Sequence, residues 1–167
     1  EPLPDSDLMP THEALGRVTF EPVHAPGPLP AFRRSTMDGY AVRAGDTHGA
    51  GENLPALLSV VGEVKMGQPA DIIVGVGESA LVHTGGMIPD SADAVVPVEF
   101  TQPVEWSSAH AAISEIEVYR PVAAGQNVIQ IGEDVTRGAL ILPRGALVRP
   151  QDVGGLLAFG IVELKVT

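Results

Sequence analysis

No cysteine occurs anywhere in the 167 residues. That excludes disulfides, thiolate nucleophiles and cysteine-ligated metals, and it fits a cytoplasmic protein. No apolar run is long enough to span a bilayer as a helix, which takes roughly 20 residues. No positively charged leader followed by an apolar stretch opens the chain, so no export signal is expected. The first residue is Glu1 rather than Met, which leads us to expect part of a longer protein. Positive charge is also scarce: 10 Lys and Arg face 21 Asp and Glu, for a net charge of −11. Such a surface repels nucleic acid and anionic lipid, so neither a nucleic-acid nor a membrane partner is expected. It repels small anionic substrates as well. An oxyanion site here requires locally clustered cations or a bound metal ion.

What is present points to many short strands. Apolar residues make up 44% of the chain, enough to bury a core in one domain or two small ones. The 19 Gly and 15 Pro favour turns over long helices. Thr11 reads as the N-cap of a short helix over His12–Leu15, stopped at Gly16. Strands are expected over 18–23, 40–43, 56–64, 79–83, 94–100, 113–119, 126–131 and 161–166, with a weaker one over 71–76. Pro97 suits a sheet edge. Ala139–Leu142 and Ala146–Val148 read as a hairpin over Pro143-Arg144-Gly145. Residues 101–112 are polar and irregular and hold the only Trp, Trp106. The longer helix spans 150–159, with Pro150 at its start, Asp152 in its first turn and Gly160 at its close. The fold class is therefore mainly β with two short helices (α+β). Both ends share a helix-plus-strand character and the middle is glycine-rich and strand-only. We expect one domain from residues 1–24 and 138–167, with residues 25–137 inserted as a β-rich second domain.

Three segments carry chemistry. In Pro30-Ala31-Phe32-Arg33-Arg34-Ser35-Thr36-Met37-Asp38-Gly39-Tyr40-Ala41-Val42, the Asp-Gly step signals a tight turn that places Asp38 at the lip of a strand. The plain alternative is a hairpin turn without chemistry. Arg33 and Arg34 are either local cations for an anion or ordinary surface arginines. In Thr84-Gly85-Gly86-Met87-Ile88-Pro89, two glycines allow successive N–H groups to turn toward one anion, with the Thr84 hydroxyl as a further donor. The alternative is a plain glycine turn; the Gly-Lys-Ser/Thr ending of a P-loop is missing. In Gly132-Glu133-Asp134, two adjacent acids form either a solvated loop or ligands for a hard cation such as Mg²⁺. The five histidines are scattered without metal-ligand spacing. Glu63-Val64-Lys65-Met66-Gly67 faintly resembles the lysine hairpin of biotin carriers, but Val64 stands where those place a second Met.

Taken in order, these segments resemble the molybdopterin molybdenumtransferases, the MoeA/gephyrin E-domain family. The first matches P-x-F-x-x-S-x-M-D-G-Y-A-V. Thr84-Gly85-Gly86-Met87-Ile88-Pro89 with Ala92-Asp93-Ala94-Val95-Val96 and Glu99 follows the second family signature, with Ser91 where Gly is usual. Gly125-Gln126-Asn127 with Gly132-Glu133-Asp134 follows the third, except that Ile129 stands where the family usually places an arginine. An apolar side chain cannot bind an oxyanion, so that departure weighs against full activity unless another cation substitutes.

The resemblance implies the N-terminal part, domains I and II, of such a protein: an elongated piece of short, bent sheets with an inserted β-rich domain. It implies insertion of molybdate into adenylylated molybdopterin with release of AMP. The catalytic residues it implies are Asp38 and Asp134; Mg²⁺ is held by Asp38, Asp134 and Glu133; Ser35, Thr84, Gly85, Arg33 and Arg34 contact substrate. As partners it implies a second copy sharing the site, a following pterin-binding domain not among these residues, and a molybdopterin adenylyltransferase. Alone, this chain is expected not to turn over. The rival reading is a non-catalytic dimerisation or scaffold module of the same family.

Overall fold

Burial alternates along Ala56–Glu63 and Glu115–Val118, while Gly39–Val42 and Ala94–Pro97 are buried throughout. The computed structural model describes residues 6–104 and 115–167. Its strands, in chain order, are β1 (Asp7–Pro10), β2 (Val23–His24), β3 (Arg34–Ser35), β4 (Gly39–Val42), β5 (Ala56–Glu63), β6 (Glu78–Val82), β7 (Ala94–Pro97), β8 (Thr101–Val104), β9 (Glu115–Val118), β10 (Val128–Ile129), β11 (Leu140–Leu142) and β12 (Glu163–Val166). The one α-helix among the described residues is α1 (Pro150–Ala158). The architecture is thus mainly β, and the chain divides into two units, Glu1–Ala31 with Gly132–Thr167, and Phe32–Ile131. The expected boundaries were 24/25 and 137/138. The observed ones place Gly132-Glu133-Asp134 in the unit formed by the two chain ends.

The central unit is built on a six-stranded sheet in the order β7-β4-β6-β5-β9-β8. All neighbours are antiparallel except β5 and β6. Its two faces carry separate cores. Tyr40, Val42, Leu58, Val96, Ile116 and Val118 pack on one; Ala41, Val64, Val82, Ile88, Val95 and Val128 pack on the other. β4 is buried along its whole length, as its unbroken apolar run implies for a strand covered on both faces. Pro97 lies on the edge strand β7, where its missing N–H breaks no ladder. A two-residue ladder of β3 and β10 completes the unit.

The terminal unit pairs the two ends of the chain. β1 runs antiparallel to β12 and β2 to β11. Its core is Ala14, Leu142, Val148, Leu156, Leu164 and Val166. α1 follows its sequence signals: Pro150 opens it and the Asp152 carboxylate accepts from the Arg149 backbone N–H at 2.9 Å. No helix among the described residues is long and apolar enough to cross a membrane.

Several elements differ from expectation for identifiable reasons. The first helix is a single 3-10 turn, Thr11–Glu13, and Thr11 does not cap it, because its hydroxyl donates to the Ile161 carbonyl at 2.7 Å. The strand over 18–23 shrinks to β2 plus isolated bridges, with Pro22 interrupting it. Residues 71–76 form no strand: the Val74 N–H goes to the Ser91 hydroxyl and the Gly75 N–H to the Glu78 carboxylate. The strand over 94–100 ends at Pro97, and Val98–Phe100 is a 3-10 turn leading into β8 within a stretch expected to be irregular. The hairpin over 143–145 keeps its turn, but its flanks pair elsewhere: β11 with β2, and Leu147 with Val18. Residues 105–114, including Trp106, His110 and Ile113, lie outside the described residues.

Two backbones approach closely at Gly39. Asp-Gly suggested a positive-φ turn, yet Gly39 begins β4 and is not left-handed. Its glycine identity answers a close approach, because a Cβ there would collide with the Val96 carbonyl oxygen of β7. Gly39→Ala is expected to force β4 and β7 apart and destabilise the protein by about 1–3 kcal/mol, the usual cost of overpacking. Urea unfolding checks it, and an unchanged midpoint would show that the sheet accommodates the methyl.

Candidate functional site

Asp38 sits between β3 and β4, and Thr84 lies two residues past the end of β6, the neighbour of β4. The register therefore delivers them side by side. The Thr84 N–H donates to Asp38 Oδ1 at 2.8 Å, and the Thr84 hydroxyl donates to the same oxygen at 3.1 Å. The Asp38 carboxyl is held below its ordinary value, first by the Thr84 N–H, then by the Thr84 hydroxyl. Desolvation opposes this slightly, and the nearby His83 assists. The site thus offers an exposed, oriented carboxylate that stays ionised.

The two glycines after Thr84 do something other than expected. Gly85 is left-handed at φ 80°, and its N–H donates to the Ser35 carbonyl at 2.7 Å. The Gly86 N–H donates to the His83 carbonyl at 2.8 Å, and Gly86 in turn accepts from the Ser35 N–H at 3.0 Å. With Thr84 bound to Asp38, all three N–H groups of the turn have protein acceptors. The turn does not present a nest of open donors to an anion; its geometry serves to place Thr84 against Asp38.

The remaining candidates of this unit fall into supporting positions. Ser35 is buried, and its hydroxyl donates to the Met37 carbonyl at 2.5 Å and accepts from the Met37 N–H at 3.2 Å, shaping the approach to Asp38. The Arg33 guanidinium donates to the Pro89 and Ala92 carbonyls, each at 2.9 Å, and lies 3.7 Å from the Asp90 carboxylate. It clamps the loop after the glycine turn. Arg34 stands opposite Ile129 in the β3–β10 ladder and bridges to Met87.

Glu133 and Asp134 belong to the terminal unit, on an exposed turn where the Asp134 N–H donates to the Leu29 carbonyl at 3.0 Å. Among the described residues no three His, Asp or Glu side chains cluster closely enough to hold a metal. The exposed Asp38 carboxylate is the kind of ligand Mg²⁺ takes, since that ion commonly uses one or two protein carboxylates and completes its shell with water and substrate oxygens.

Two residues that the motifs contain, but to which the sequence assigned no role, support the site. Asn127 is left-handed at φ 60°, its side-chain amide donates to the Val95 carbonyl at 2.9 Å, and its own carbonyl accepts from the Thr36 N–H just before Asp38. Asp93 accepts from the Ala44 N–H at 2.6 Å and so fixes the exit of β4. Asn as a tolerated left-handed residue was the available signal for the first; only the tertiary partner reveals the second.

A family model described as the MoeA N-terminal region (domain I and II) matches residues 2–160. A putative molybdopterin biosynthesis protein of Methanocaldococcus jannaschii is 38% identical over 92% of this chain and 35% of its own length. Molybdopterin molybdenumtransferase 2 of Mycobacterium tuberculosis is 34% identical over 95% of this chain and 37% of its own. A crystal structure of the molybdopterin biosynthesis MoeA protein of Pyrococcus horikoshii superposes with a TM-score of 0.89 at 36% identity, over 98% of this chain and 40% of that one. The chain therefore spans well under half the length of these relatives.

Thr84→Val keeps the backbone bond to Asp38 and removes the hydroxyl bond. The Asp38 carboxyl should rise toward its ordinary value, read from its carbon-13 shift during a pH titration. The sign for stability follows: with the folded value below that of the unfolded chain, about 3.9, the contribution is present above that pH. It is lost as pH falls through the folded value, and Thr84→Val should lessen that acid dependence.

Proposed function

The chain belongs to the family of MoeA N-terminal regions, domains I and II, and on that premise we propose that it is part of an enzyme of molybdenum cofactor biosynthesis. The reaction is insertion of molybdate into adenylylated molybdopterin with release of AMP. The observation that carries this reading is the Asp38–Thr84 pair: an ionised carboxylate, oriented through one oxygen and exposed, on a chain whose net charge of −11 would otherwise turn both anionic substrates away. Mg²⁺ held at the exposed Asp38 carboxylate would supply the positive charge that brings those anions in.

The chain's own residues divide the work. Thr84 fixes the direction of the Asp38 carboxylate and keeps it deprotonated. Ser35 and Gly85 hold the turn that carries Thr84. Arg33 holds the loop that follows, and Arg34 supplies a guanidinium on the strand leading to Asp38. The site is completed by a second copy of the chain and by the pterin-binding domain of the longer protein. A molybdopterin adenylyltransferase delivers the substrate, and the setting is the cytoplasm. Ile129 favours a second reading, a scaffold module without turnover, because an apolar side chain there adds no anion-binding charge.

The test uses the longer parent protein. Asp38→Ala and Asp134→Ala should each weaken Mg²⁺-dependent molybdate binding by at least about tenfold, the scale on which even outer partners of a metal act. Cofactor formation should fall with it. Unchanged binding and turnover would remove both residues from the site. Ile129→Arg should strengthen molybdate binding in an enzyme and change nothing in a scaffold. The 167 residues alone should yield no cofactor.

A further inference from the structure

A cleft of about 270 Å³ in the central unit adjoins the Thr84 turn and is lined by Phe32, Gln68, Met87, Gly67, Gly85 and Gly86. Its floor is bare backbone. The Gly85 and Gly86 N–H groups point into internal hydrogen bonds, so the floor presents little polarity. A side chain on Gly86 would press to 2.8 Å from the His83 carbonyl oxygen, so the floor stays flat. The Met66 thioether lies over this floor, its sulfur 3.6 Å from where a Gly86 Cβ would stand. Phe32, which lines the cleft, is 38% exposed, and Met66, beside Gly86, is 57% exposed.

The wall that carries Met66 is fixed to the floor at its root. The His83 ring nitrogen lies 2.7 Å from the Glu63 carboxylate, and the Val64 N–H donates to the Leu81 carbonyl at 2.9 Å. The segment Glu63-Val64-Lys65-Met66-Gly67 is thus a held wall, not a carrier hairpin. Thioether and phenyl groups facing a flat glycine floor suit a flat aromatic ring. The Gln68 side chain offers both a donor and an acceptor for the edge of such a ring. Thr84 adjoins Gly85 in the chain and holds Asp38, so the cleft and the Asp38 site are neighbours along the same turn.

We propose that this cleft is the subsite for a flat, nitrogen-containing ring carried by the phosphate-bearing substrate. The inference rests on the reading of Asp38 given above, and it adds where the ring is held. Two rings answer the description, the adenine and the pterin of an adenylylated pterin, and the experiment separates them. The nitrogen-15-labelled chain is titrated with adenosine, with a phosphate-free pterin and with ribose 5-phosphate. One of the two ring compounds should shift the amides of Gly67, Gly85 and Gly86, and ribose 5-phosphate should not. Phe32→Ala and Met66→Ala should each weaken that ring compound by about two- to tenfold, the scale of sulfur–aromatic and ring–ring contacts. Met66, being exposed, can be replaced without disturbing the fold, which the unaltered amides elsewhere would verify. If neither ring compound moves those amides, or the shifts survive both substitutions, the subsite is wrong. Because the ring probes carry no phosphate, this outcome is independent of Mg²⁺ and Asp38. Failure of metal binding and failure of the subsite are therefore separate results.

Discussion

The structure depends on how closely β4 is gripped between β6 and β7. At Gly39 the backbone of β7 leaves no room for a methyl group, and the whole strand is buried from both faces. The residue just before such a strand has little freedom. Its carbonyl accepts from the Val98 N–H at 3.0 Å on the β7 side, while its carboxylate meets Thr84 on the β6 side. Asp38 is therefore fixed by sheet packing, and its chemistry follows from being held where water still reaches it.

Charge gives the site its character. Donors that could have met an anion directly are already bonded inside the protein: the N–H groups of the glycine turn, and the Arg33 guanidinium on the Pro89 and Ala92 carbonyls. What faces outward is a carboxylate. On the proposed reading, a cation at that carboxylate would recruit the anion to a chain this acidic, which makes the identity of residue 129 consequential. Arg34 is the side chain that the β3–β10 ladder sets directly across from Ile129.

Much of the fold was legible in the sequence because its signals are local. The unbroken apolar runs of β4 and β7, the alternation of Ile116 and Val118 with Glu115 and Glu117, the edge position of Pro97 and the Pro150, Asp152 and Gly160 signals of α1 all reflect short-range physics. The failures are where a distant partner took over. The Thr11 hydroxyl went to Ile161 rather than to its own turn. Residues 71–76 found side-chain acceptors in place of a ladder. The flanks of the turn at 143–145 paired with residues from the other end of the chain. At the site, the family resemblance singled out Asp38 and Thr84, which the structure joins. It could not show that Gly39 is glycine for want of space, nor that the Gly85 and Gly86 donors are closed.

The pairing of β1 with β12 bears on how a ribosome delivers this protein. Every strand of the central sheet has been synthesised once Val118 has emerged, and the β3–β10 ladder can close once Ile129 follows. β1, made first, has no partner until residues 163–166 leave the exit tunnel. Vectorial synthesis therefore lets the sheet around Asp38 form while the N-terminal strand is still waiting, and an interruption of translation before β12 would leave β1 with an open edge.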